Sequence, residues 1–104
     1  MKCQLDKSQE QLLEIIGQEL LGSSGLSFDS DQLITFGRNW FEKQLPHLRE
    51  NVCTNIVTQH LLKNTDEVIL IGAIVDIISS VCVGVTPATV ATLIVKIGLK
   101  EFCN

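Results

Sequence analysis

The sequence reads as all-α, a compact bundle of about five helices closed by an apolar C-terminal helical hairpin, and three features carry that reading. Apolar residues recur at three- and four-residue spacing through most of the chain. Cap-forming and chain-breaking residues punctuate this pattern at helix-length intervals, and the connections are short, as between antiparallel neighbours in a bundle. At 104 residues the chain suffices for one core and not two, so a single domain over 1–104 is expected. With 45% hydrophobic and 19% charged residues it can bury enough apolar surface to fold, which excludes a disordered chain.

Residues 6–21, DKSQEQLLEIIGQELL, place Leu12, Leu13, Ile16 and Leu20 on one face and Glu10, Glu14 and Gln18 on the other, the pattern of an amphipathic helix. Asp6 or Ser8 caps its start, and GSSG at 22–25 stops it. A phosphate-binding role for GSSG is disfavoured, because a helix precedes it and no Lys-Ser or Lys-Thr pair follows. Asp29 or Ser30 then caps a second helix whose inward face carries Leu33, Phe36, Gly37, Trp40 and Phe41, with Gly37 leaving room for a neighbour. Pro46 lacks an N–H and disfavours helical geometry at Leu45, so a kink or a new helix is expected there; the new helix is preferred, running from 46 to 62 on the stripe Leu48, Val52, Ile56 and Leu62. Asn64 or Thr65 caps the next, with Asp66 and Glu67 at the positive end of its dipole. Gly84 followed by Thr86-Pro87 divides the apolar C-terminal third into two helices, 66–84 and 87–102.

That apolar third, residues 68–99, carries two charges, Asp76 and Lys96, and raises the question of a membrane. Hydropathy leaves insertion undecided: a central Asp76 costs about 2.5–3.5 kcal/mol, and eleven Val, Ile and Leu residues in 68–85 offset it. The pattern favours a core. Gly72, Asp76, Ser79, Ser80 and Val83 form one strip on the first helix. Thr89, Thr92, Lys96 and Lys100 form a polar stripe on the second, away from Val90, Leu93, Ile94, Ile97 and Phe102. The second helix is also only about 24 Å long, short of a hydrocarbon layer of about 30 Å. A hairpin over 66–103 shielded by protein is the expectation, with helix 66–84 either leaving apolar surface for a partner or wrapped by the other four.

Nothing in the residue types points to catalysis, a cofactor or a metal. Zinc sites pair ligands closely, whereas Cys53 and His60 lie about 10.5 Å apart along a helix. The N-terminal MKCQLDKSQEQ lacks the apolar run of a signal peptide, so a cytoplasmic chain with reduced thiols is expected. Cys53 and Cys82 are then small buried hydrophobes, and a redox-sensitive clasp between Cys3 and Cys103 is the lesser alternative. Asp76 is expected to be structural. The mixed charges Arg38, Lys43, His47, Arg49 and Glu50 form a solvated face or a docking surface. A net charge of −4, four Phe, one Trp and no Tyr disfavour nucleic acid.

The expected function is therefore non-enzymatic: a small protein–protein interaction or oligomerisation module, adaptor-like, whose partner is another protein or a second copy. Its expected interface residues are Ile74, Ile78, Val81, Val90, Ile94 and Ile97, with Trp40 and Phe41 as docking anchors or core. Two alternatives stand beside it: a membrane-associated protein inserting the 66–103 hairpin, and a small enzyme or metal binder using Cys53, His47 or His60.

Overall fold

The computed structural model describes residues 7–22, 27–54 and 66–103. Among these residues there are four helices and one further helical turn, and no strand: α1 (Gln9–Leu21), α2 (Ser30–Cys53), α3 (Glu67–Ile78), α4 (Pro87–Ile97) and the turn α5 (Leu99–Phe102). The chain is all-α, as expected. Three starts follow from side-chain chemistry. Ser8 and Asp29 each accept from the backbone N–H three residues on, while Gln11 and Gln32 reach back to the cap N–H, so two reciprocal capping boxes open α1 and α2. Asp66, rather than Asn64 or Thr65, caps α3, accepting from the N–H groups of Val68 and Ile69. Pro87 occupies the first turn of α4, where a missing N–H costs nothing.

Helix α2 runs unbroken through Pro46, so the new helix expected there does not form. The proline removes the N–H that would bond the Glu42 carbonyl, and both residues are solvent-exposed, where water replaces the lost donor. The continuation expected from 55 to 62, with Ile56, Leu62 and His60, lies outside the described residues. Helix α3 is shorter than expected, ending at Ile78. Ser79 turns its hydroxyl back to the Asp76 carbonyl, and Gly84, with φ of +84°, belongs to the following loop.

Helices α1 and α2 are antiparallel and cross backbone to backbone. A methyl group at Gly17 would stand 2.0 Å from the Leu33 carbonyl oxygen, and one at Gly37 would stand 1.9 Å from that of Leu13. The space expected at Gly37 is thus used, by a reciprocal partner in Gly17. Leu12, Leu13 and Ile16 from α1 and Phe41, Leu48 and Val52 from α2 enter one core with Ile71, Ile74 and Ile78 of α3.

Helix α4 is the central element. Six consecutive residues, Thr89 to Ile94, are buried, and α1, α3 and α5 all pack on it. The polar stripe expected to face outward therefore faces inward at Thr89 and Thr92, each 1% exposed. A threonine carries a methyl group, and in a helix its hydroxyl can return to the carbonyl four residues back, as Thr92 does to Ala88 at 2.7 Å. Thr89 Oγ1 is buried without a hydrogen-bond partner among the described residues. The central helix of the bundle is accordingly α4, and not the 66–84 helix. The radius of gyration, 13.3 Å, fits a close-packed chain of this length.

Gly98, with φ of +100°, lets the chain reverse after α4, and its N–H caps the carbonyls of Ile94 and Val95. That reversal returns α5 to the end of α2. There Phe102 is buried with its ring 6.2 Å from that of Phe41, and Arg49 Nε donates to the Phe102 carbonyl at 2.9 Å. Cys103 closes a disulfide with Cys53, Cα to Cα 5.6 Å.

Candidate interaction surfaces

The disulfide corrects the expectation of reduced thiols. Cys53 ends α2 and Cys103 follows α5, so the fold rather than the sequence spacing brings them together, across 50 residues. Both are half-buried. Cys103 is thereby taken from the clasp with Cys3, which lies outside the described residues, and Cys53 is no longer a thiolate for a metal or a nucleophile. Cys82 is the buried hydrophobe expected of it: burial raises its thiol to about 11, so it stays protonated and inert. His47 is exposed on α2, its carbonyl accepting from Asn51 at 2.7 Å, and His60 is outside the described residues. Among the described residues no group of three His, Cys, Asp or Glu side chains is placed to hold a metal.

Of the residues expected at an interface, Ile74, Ile78, Val90 and Ile94 are core, each 1% exposed or less, while Val81 and Ile97 are half-buried against that core. Val90 and Ile94 are buried because α4 is wrapped, and Ile74 and Ile78 because they lie on the side of α3 that packs on the core. Phe41 is buried and Trp40 half-buried against the core, so the anchor pair is packing. Arg38, Lys43, His47, Arg49 and Glu50 lie on the exposed side of α2, with Arg49 committed to the Phe102 carbonyl.

Exposed apolar side chains gather elsewhere. The strip Gly72, Asp76, Ser79, Ser80 and Val83 is exposed at all five positions, as its spacing implies. Val68 and Ile69 extend it toward the start of α3, at 54% and 50% exposure, and Val83 is 79% exposed in the loop beyond. A methyl group at Gly72 would meet nothing within 4 Å, so this face carries a shallow notch between two aliphatic residues and an acid. Among the described residues of this face, Glu67 and Asp76 are charged and exposed, and both are acidic. Helix α3 thus packs one side, Ile71, Ile74 and Ile78, on the core and leaves the other uncovered.

Two clefts are lined by described residues. One, of 220 Å³, lies between α1, α2 and α4; Leu13, Phe41, Leu45 and Leu93 line it, and Arg38 and Glu42 stand at its edge with opposite charges. The other, of 380 Å³, is formed at the start of α2 by Phe28, Asp29, Asp31, Gln32, Thr35 and Phe36. Phe36 was expected to face inward, yet it is 40% exposed. The buried stripe of α2 runs through Leu33, Gly37 and Phe41, and Phe36 falls to its side, packing edge-on against Phe28.

No family model matches the chain, and neither a curated protein nor a solved structure shows similarity to it. Among the described residues no helix is long and apolar enough to cross a membrane.

Proposed function

We propose that the protein is a protein–protein interaction module that docks a partner helix across the uncovered face of α3. The observation that carries this reading is the exposure of Val68 and Ile69 beside Gly72 on the side of α3 turned away from the core, with Val83 exposed in the loop that follows. Each large aliphatic side chain left in water forfeits about 1.5–3 kcal/mol of burial, which a partner restores. Gly72, with open space above it, admits close approach of a second backbone.

Charge selects the kind of partner. Two copies meeting on this strip bring Glu67 and Asp76 against their own counterparts, whereas a helix carrying Lys or Arg beside its apolar residues finds opposite charge there. A hetero-complex is favoured over a homodimer on that account. The Cys53–Cys103 bond supports an oxidising compartment as the place of action, instead of the cytosol, where glutathione keeps thiols reduced.

The test is titration of the full chain with a fifteen-residue amphipathic Leu/Lys peptide and, in parallel, a Leu/Glu peptide of the same pattern. Saturable 1:1 binding of the first alone, abolished by Ile69→Asp with unchanged circular dichroism, is the expected result. Equal binding by wild type and Ile69→Asp overturns the docking face. A stable dimer of the free chain at low ionic strength overturns the choice of partner.

A further inference from the structure

We infer that the cleft at the start of α2 is a second, separate binding site, one that takes an arginine side chain from an extended segment of a partner protein. The Phe28 and Phe36 rings lie 5.4 Å apart at 79°, an edge-to-face pair that stands outside the hydrophobic core. Phe36 keeps 40% of its surface in water although the core of this small domain lies one turn away. The two rings wall a space of 380 Å³, large enough for a side chain and not merely for water.

The chemistry of the walls specifies a cation. Aromatic ring faces carry negative potential, and the carboxylates of Asp29 and Asp31 line the same cleft. No basic residue occurs on α2 before Arg38. The α2 dipole opposes a cation here with about half a charge, which the two carboxylates outweigh. The polar groups are also already ordered: Asp29 Oδ1 accepts from the Gln32 N–H at 2.8 Å, Gln32 Oε1 accepts from the Asp29 N–H at 3.0 Å, and Thr35 donates to the Asp31 carbonyl at 2.9 Å.

Arginine fits better than the other cations of biology. Its planar guanidinium stacks on a ring face while its N–H groups reach a carboxylate, two contacts that a compact ammonium makes less well together. A phosphocholine headgroup would satisfy the rings but bring a phosphate against Asp29 and Asp31. The partner is therefore a protein segment and not a lipid surface.

The site is independent of the α3 strip, and the experiment separates the two. The ¹⁵N-labelled full chain is titrated with the capped tetrapeptide Gly-Arg-Leu-Arg, with its Lys and Glu analogues, and with phosphatidylcholine vesicles. The expected result is saturable amide shifts confined to Phe28–Phe36, strongest for the Arg peptide, weaker for Lys and absent for Glu. Phe36→Ala weakens binding about two- to fivefold, the effect of an exposed cation–π contact. Asp31→Asn, which keeps shape and removes charge, weakens it as well, and this variant decides the matter should Phe36→Ala fold poorly. Shifts of equal size with the Glu peptide, shifts confined to Val68–Asp76, or binding to vesicles in preference to the Arg peptide would each overturn the proposal.

Discussion

Gly17 and Gly37 on one side, and Gly72 on the other, divide the molecule into two regions built on different rules. Where α1 crosses α2, an added methyl group would stand about 2 Å from a carbonyl oxygen on the facing helix; at Gly72 it would meet nothing within 4 Å. The first region is a closed joint in which two backbones touch. The second is a helix covered on one side only. Small residues serve opposite ends in the two, close packing in one and an open face in the other. The difference sets a joint closed by backbone contact against a face open to solvent, and the proposed docking uses the open one.

The largest expected effect tests whether the C-terminal region depends on covalent attachment. Cys103→Ser opens a disulfide spanning 50 residues and should cost about 4 kcal/mol by the loop-entropy account, read as a lowered urea midpoint. An unchanged midpoint would show that Phe102 burial and the Arg49 contact suffice. Next, Gly37→Ala should lower stability by about 3 kcal/mol or more, since the backbone clash exceeds the roughly 1 kcal/mol that alanine gains in a helix. A stabilised Gly37→Ala would mean the joint is looser than it stands. In α4, Thr89→Val removes a buried hydroxyl without a partner at nearly constant volume and should stabilise by about 1–2 kcal/mol. Gly72→Ala is the counterpart to Gly37→Ala: helix propensity acts unopposed there, raising stability by about 1 kcal/mol or slightly less, a rise of about 4–8 °C in Tm.

A last effect concerns pH. Burial holds the Cys82 thiol at about 11, above its ordinary 9.0, so between these values the unfolded chain ionises while the folded chain does not. Stability should be unaffected by this group below pH 9 and decline from there toward pH 11; Cys82→Ala should flatten that decline. Iodoacetamide should label Cys82 only as fast as the chain unfolds.

Much of this architecture could be read from residue types where local chemistry decides the outcome. Ser8, Asp29 and Pro87 act within one turn of their own backbone, and each opens a helix as its type implies. The exposed strip along α3 and just beyond it was visible because Asp76 lies four residues from Gly72 and three and four from Ser79 and Ser80. The misreadings share a different cause. Thr89 and Thr92 count as polar by type, yet α4 is wrapped on all sides, and tertiary burial overrides type. Pro46 is tolerated because its carbonyl partner is exposed, which no local rule reports. The Cys53–Cys103 pairing follows from the chain reversal at Gly98 and the return of α5 to α2, an arrangement with no trace in cysteine spacing. Of the candidate surfaces, the α3 strip was in part legible. The Phe28–Phe36 cleft was not, because Phe36 sits one position from a buried stripe and only the packed structure shows to which side it falls.

Native-state hydrogen exchange of the full chain tests the division between the two regions most directly. Amides of α1, α2 and α4 at their mutual contacts should exchange last, those of α3 from Leu70 to Asp76 well before them, and addition of the Leu/Lys peptide should slow α3 alone. Exchange in α3 as slow as at Gly17 and Gly37, or peptide protection appearing in α1 and α2 instead, would contradict the account.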